Sequence, residues 1–114
     1  MSAARREALV WAAQRFTAAL LAFFVLVHLA TIIYAVRGGL SAAEILGRTR
    51  GNWAFGAFYA LFVLSAAVHG AIGLRAVAAE WLGFRGRGAE WTVAFVGAAL
   101  TILGLRAVFA VVAA

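Results

Sequence analysis

The residues best suited to chemistry lie in one stretch, His69-Gly70-Ala71-Ile72-Gly73-Leu74-Arg75, running on to Glu80. His69 is one of only two histidines, and it stands inside an apolar run. An imidazole in hydrocarbon needs partners for its ring nitrogens, so a histidine there is a functional-site candidate by default. Gly73 follows one helical turn later on the same face, and Ser65, Ala66 and Gly70 are also small. Small residues around a histidine let a flat, bulky group approach the helix backbone. A porphyrin fits that description, with His69 as an axial iron ligand. Arg75 is six residues on, about 9 Å along a helix, a spacing suited to a porphyrin propionate at the membrane surface.

The helices that must position these groups are legible from hydropathy. Of 114 residues 67% are apolar, with no proline and no cysteine, a composition typical of an integral membrane protein. The absence of cysteine excludes disulfides, thiolate-bound metals and an iron–sulfur cluster within this chain. The formal charge of +6 comes from arginines that mostly flank apolar runs. Such flanks set topology and meet lipid headgroups, which argues against nucleic acid as a partner.

The first apolar run, 16–36, is about 21 residues long, enough to cross a bilayer and too long for a signal-peptide core. Met1 to Gln14 before it is short and basic. Ser41-Ala42-Ala43-Glu44 has capping-box spacing and predicts a short surface helix over 42–46, followed by a polar turn over 47–52. A second span is expected over about 53–77, aromatic in its first half and small-residue-rich near His69. A glycine-broken loop over about 78–90 leads to a third span over about 91–113. Gly97 and Gly104, seven apart, share a face suited to close helix contact. The fold class expected is therefore all-α membrane, a single domain over 1–114 with three transmembrane helices and a short interfacial helix after the first. Arginines at 5, 6, 15, 75, 85 and 87 outnumber those at 37, 48 and 50 in the first loop, which puts the N-terminus and second loop in the cytoplasm.

The run His69, Gly73, Leu74, Arg75, Glu80 resembles the cytochrome b membrane-anchor subunits of succinate dehydrogenase and fumarate reductase. Gln14-Arg15-Phe16-Thr17-Ala18 is similar to the family's first-helix His-Arg-x-Ser-Gly, with Gln14 and Ala18 in place of its histidine and glycine. The resemblance implies a haem b anchor in a bacterial-type cytoplasmic (inner) membrane, with His69 as haem ligand. Resemblance to the two-haem type implies His28 as a second ligand. It also implies Arg15 near a quinone pocket, and electron transfer between an iron–sulfur subunit and membrane quinone. Catalysis would belong to a flavoprotein subunit, so this chain is expected to be a non-catalytic electron-transfer and anchor subunit.

Each candidate also has a plainer role. His69 and His28 can pack helices, and Arg15 and Arg106 can snorkel to the interface. Glu80 and Glu90 can be surface charges and Glu44 a cap. Ser65 is a candidate hydrogen-bond partner for the His69 ring, with a backbone carbonyl as the other. Competing readings are a haem-free three-helix scaffold or assembly protein, and a proton-coupled transporter subunit using both histidines. Each iron needs two axial ligands, and three helices offer few walls, so a second anchor chain or a second copy is implied.

Overall fold

A computed structural model describes residues 2–114, with Met1 outside the described residues. It contains four helices: α1 (Ala3–Gly38), α2 (Ala42–Thr49), α3 (Trp53–Leu82) and α4 (Arg87–Val112). α1, α3 and α4 are each long and apolar enough to cross a membrane. The expected all-helical architecture is present, and α2 is the short helix after the first span.

The long helices outrun the apolar stretches. Hydrocarbon requires only about 20 helical residues, but nothing stops the helix where the polar interface begins. α1 starts at Ala3 because the Ser2 hydroxyl accepts the Arg5 N–H at 3.2 Å. α2 runs three residues beyond the expected 42–46, so Gly47–Thr49 are helical rather than turn. The Ser41 hydroxyl accepts the Glu44 N–H at 3.2 Å and donates to the Glu44 carboxylate at 2.6 Å, a variant of the expected capping box. The broad loop expected over 78–90 is also shorter. α3 continues to Leu82, and Gly83, left-handed at φ 65°, closes it, with the Phe84 N–H donating to the Ala78 carbonyl at 3.0 Å. α4 begins at Arg87, ahead of the expected start near 91, so Gly88 lies in its first turn rather than in the loop.

α3 is the middle of the row. It packs against both α1 and α4, while α1 and α4 have little contact with each other. The three helices thus form an open row, with the flanks of α1 and α4 left for lipid or another chain. Few apolar side chains are enclosed: Phe24, Ala67, Ala78, Ala89 and Val112. Large ones such as Phe16, Phe23, Leu26, Phe95 and Phe109 point outward.

The two contacts of α3 are built differently. Toward α4 the backbones approach through glycines. A Cβ on Gly97 would meet Ala71 at 3.4 Å, and one on Gly56 would meet Val112 at 3.3 Å. A Cβ on Gly104 would stand 2.5 Å from Val63 Cγ1, closer than carbon atoms pack. Gly104→Ala is therefore expected to destabilise the α3–α4 pair by about 1–3 kcal/mol through overpacking. Val63→Ala in the same chain should recover most of that loss. Unfolding midpoints in mixed detergent measure both. Toward α1 the contact is aromatic at one end, where Phe24 meets Phe58 edge-on at 5.0 Å and Phe62 at 5.6 Å. Farther along it becomes small and polar.

The α2 end is fastened by hydrogen bonds that use spare carbonyls of the α4 C-terminus. Thr49 Oγ1 donates to Val111 O at 2.8 Å, and Gly51 N to Val112 O at 2.7 Å. Arg48 donates to Gly39 O at 2.7 Å and lies over the Tyr34 ring, tying α2 to the end of α1.

Candidate functional site at the α1–α3 contact

Antiparallel packing of α1 and α3 sets which residues face each other. Thr17 lies opposite His69, with Oγ1 and the ring Nδ1 3.3 Å apart. Tyr59 lies opposite His28, with its hydroxyl 3.2 Å from Nδ1. Gln14 lies opposite Gly73, its Nε2 3.5 Å from where a Cβ would stand, so glycine lets the amide fit. Both histidines are therefore on the α1–α3 contact, each held through one ring nitrogen by a hydroxyl from the other helix.

The second nitrogen of each ring is the chemically available one. Neither Nε2 has a hydrogen-bond partner among the described residues. Nor is either sealed in: the only enclosed side-chain polar atom without a partner among those residues is Gln14 Oε1. A half-buried imidazole with Nδ1 engaged and Nε2 open is the donor an axial iron ligand requires. Because the open nitrogens lie at the surface of the chain, a porphyrin bound there would be completed by another wall.

Their levels differ. From Tyr59 to His69 is ten residues along α3, about 15 Å of rise, and from Thr17 to His28 is eleven along α1, about 16 Å. His69 sits two residues from the level of Arg15, near the rim at the N-terminal end. His28 is deeper and nearer α2, edge-on to Phe62 at 5.6 Å and to Tyr59 at 5.7 Å.

The other expected site residues are placed as follows. Ser65 is buried one turn from His69 but makes no hydrogen bond to it; Thr17 occupies that role. Gly73 receives Gln14, so its missing side chain serves helix contact, and Gly70 faces Leu100 of α4 at 3.9 Å. Arg15 is exposed, with its guanidinium 5.3 Å from the Trp11 ring centroid, on a face of α1 away from α3. Arg75 is turned roughly 120° around α3 from His69. Its Nε donates to Glu90 at 2.7 Å across the Gly83–Gly86 turn, with the side chains 44% and 56% exposed. An ion pair so open to solvent contributes only about 0–1 kcal/mol, so Arg75 can change partner at small cost. Arg106 is exposed on α4 and Glu80 on α3, consistent with plain surface roles. Arg75 and Glu90, with Arg6, Glu7, Val10 and Ile72, line a cleft of about 560 Å³ at the N-terminal end.

The sequence assigns Tyr59 no role, places Gln14 and Thr17 only in the first-helix motif, and reads Glu90 only as a surface charge; the contacts of these four residues with His28, Gly73, His69 and Arg75 come from the structure. A hydroxyl inside an apolar span is the available signal for Thr17, since polar groups there seek partners on neighbouring helices. Glu90 stands in the first turn of α4, where a carboxylate is favoured by the helix dipole. Among the described residues there is no cluster of three or more His, Cys, Asp or Glu side chains able to hold a metal ion between them. One histidine per iron is all that axial ligation asks of a chain.

Three apolar helices in an open row, with one imidazole near the rim that carries Arg15 and a second about 15 Å deeper, define a small polytopic membrane protein. The chain belongs to the succinate dehydrogenase/fumarate reductase transmembrane subunit family, whose model matches residues 1–111. Searches against curated proteins and solved structures return no match.

Proposed function

We propose that the chain is a haem b-binding membrane anchor that passes electrons between an iron–sulfur subunit and membrane quinone. The observation that carries this reading is His69: an imidazole in a spanning helix whose Nδ1 faces the Thr17 hydroxyl and whose Nε2 is unpartnered. A haem ligated there supplies a one-electron relay close to the membrane surface. His69 would hold it, and the hydroxyl of Thr17 would orient the ligand ring. Arg75 would exchange Glu90 for a propionate, a swap made easy by the exposure of that pair. His28, about 15 Å farther along, would ligate a second haem, as in two-haem anchors.

The cleft beside Arg75 is the proposed place of a quinone headgroup, with Arg6 as donor to a carbonyl. Arg15, which does not line that cleft, would reach a quinone only where a partner chain builds a wall against its own face of α1. The second copy or second anchor chain would lie against the open flanks of the helix row and supply the remaining axial ligands. The four acidic residues, Glu7, Glu44, Glu80 and Glu90, all lie toward helix ends. That leaves the spans without the carboxylate that proton-coupled carriers generally use.

The arginine asymmetry supports a cytoplasmic N-terminus and a cytoplasmic α3–α4 turn. Trp81, 81% exposed beside that turn, with Arg85 and Arg87, would help seat the iron–sulfur subunit. A cysteine at Gly86 tests assignment and orientation together. It is expected to crosslink to a co-purifying iron–sulfur subunit and to resist impermeant label added outside intact cells. Purification in mild detergent without any such partner would overturn the assignment, and labelling from outside would reverse the orientation.

A further inference from the structure

We propose that Thr17 is a positioning residue that fixes the tautomer of His69 and strengthens its ring as an electron donor, and so lowers the reduction potential of the haem it ligates. This deepens, and rests on, the reading of His69 as an axial ligand. Thr17 is 7% exposed, the only buried polar residue on α1. Its hydroxyl has one proton and three neighbours: Ala13 O at 2.8 Å, Gln14 O at 3.2 Å and His69 Nδ1 at 3.3 Å.

The shortest of these is the bond back to the carbonyl four residues earlier, the habitual acceptor for threonine in a helix. With its proton spent on Ala13, Oγ1 offers His69 only lone pairs. Nδ1 must then be the protonated nitrogen, and Nε2 carries the lone pair. That is the tautomer an iron ligand at Nε2 needs. Without the hydroxyl, neutral histidine could hold its proton on either nitrogen, and one of the two forms cannot ligate through Nε2.

The same bond acts on electronics. An Nδ1–H donating to oxygen pushes electron density into the ring and strengthens it as a donor. A stronger axial donor stabilises ferric over ferrous iron, which lowers the potential. The bond also restrains rotation of the ring about its side chain, because Thr17 is itself fixed to the α1 backbone through its bond to Ala13 O.

The test uses the assembled complex and compares Thr17→Val, Thr17→Ala and Thr17→Ser. Valine keeps the shape and removes the hydroxyl, alanine removes it without any risk of overpacking, and serine retains it. The valine and alanine variants are expected to shift the midpoint potential of the His69 haem upward. They should also weaken haem retention by about tenfold or more, the usual size of a lost outer hydrogen bond. Serine should restore both toward wild type. Redox titration of the low-spin signal, and haem transfer to an excess of a haem-scavenging apoprotein, give the two readouts. A wild-type potential in the valine or alanine variant overturns the proposal. So does a serine variant whose potential departs from wild type although it keeps the hydroxyl, a result that can be read even if only serine assembles. Should His69→Ala leave the haem in place, the ligand reading itself fails, a result distinct from an unmoved potential in a chain whose haem does depend on His69.

Discussion

Replacing His69 with alanine is expected to abolish the haem near the N-terminal end of the bundle while leaving the helices assembled. The ring contributes one interhelical hydrogen bond, to Thr17 at 3.3 Å, and Thr17 keeps its backbone acceptors when that bond is lost. A neutral hydrogen bond of this kind is worth about 0.5–1.5 kcal/mol, too little to unfold the row. Losing an axial nitrogen, in contrast, removes one of two bonds that hold and define a low-spin iron. The effect on haem should therefore greatly exceed the effect on stability. Haem per complex and the detergent unfolding midpoint, measured on one preparation, separate the two. A variant that loses helix assembly in step with haem would make His69 a packing residue instead.

The second large effect is at His28. Since His69 shares its level with Thr17 and His28 shares its level with Tyr59, the two rings are about 15 Å apart along the bundle. Two axial nitrogens on one iron face each other across the porphyrin, only a few ångströms apart. Helix tilt of about 20° shortens such a height by only a few per cent. His28→Ala is therefore expected to remove about half the haem of the complex and leave the low-spin signal of the His69 site. Loss of all low-spin haem in an assembled complex would contradict the two-level arrangement. No loss would make His28 a packing residue, consistent with its Tyr59 bond and its edge-on contacts to aromatic rings.

The spans, the short helix after the first and the capping pair Ser41–Glu44 were legible because each depends on local pattern: hydropathy over about 20 residues, or a hydroxyl three before an acid. His69 was legible because an imidazole in an apolar run is conspicuous. Register was not. Placing Arg15 and Arg75 at equal depth gives a separation of roughly 10 Å between the histidines, because both arginines look like rim markers. The Thr17–His69 and His28–Tyr59 pairs instead put Arg75 opposite Trp11, about 6 Å from the level of Arg15. Snorkelling explains the discrepancy: a long arginine side chain reaches the interface from a range of depths, so it is a poor ruler. The Arg75–Glu90 pair was hidden for a different reason. It spans a turn whose length depends on where α3 stops, and helices in interfacial polar sequence end where a cap is available, not where hydropathy falls.

The most direct measurement is the reduced-minus-oxidised optical spectrum of the complex purified in mild detergent with its partner subunits. The chain offers histidine nitrogens and no cysteine for covalent attachment. The spectrum should therefore show low-spin b-type bands, with haem that is extracted by acidified organic solvent. An intact complex, with iron–sulfur and flavoprotein subunits present and no Soret band, would contradict haem binding by this chain.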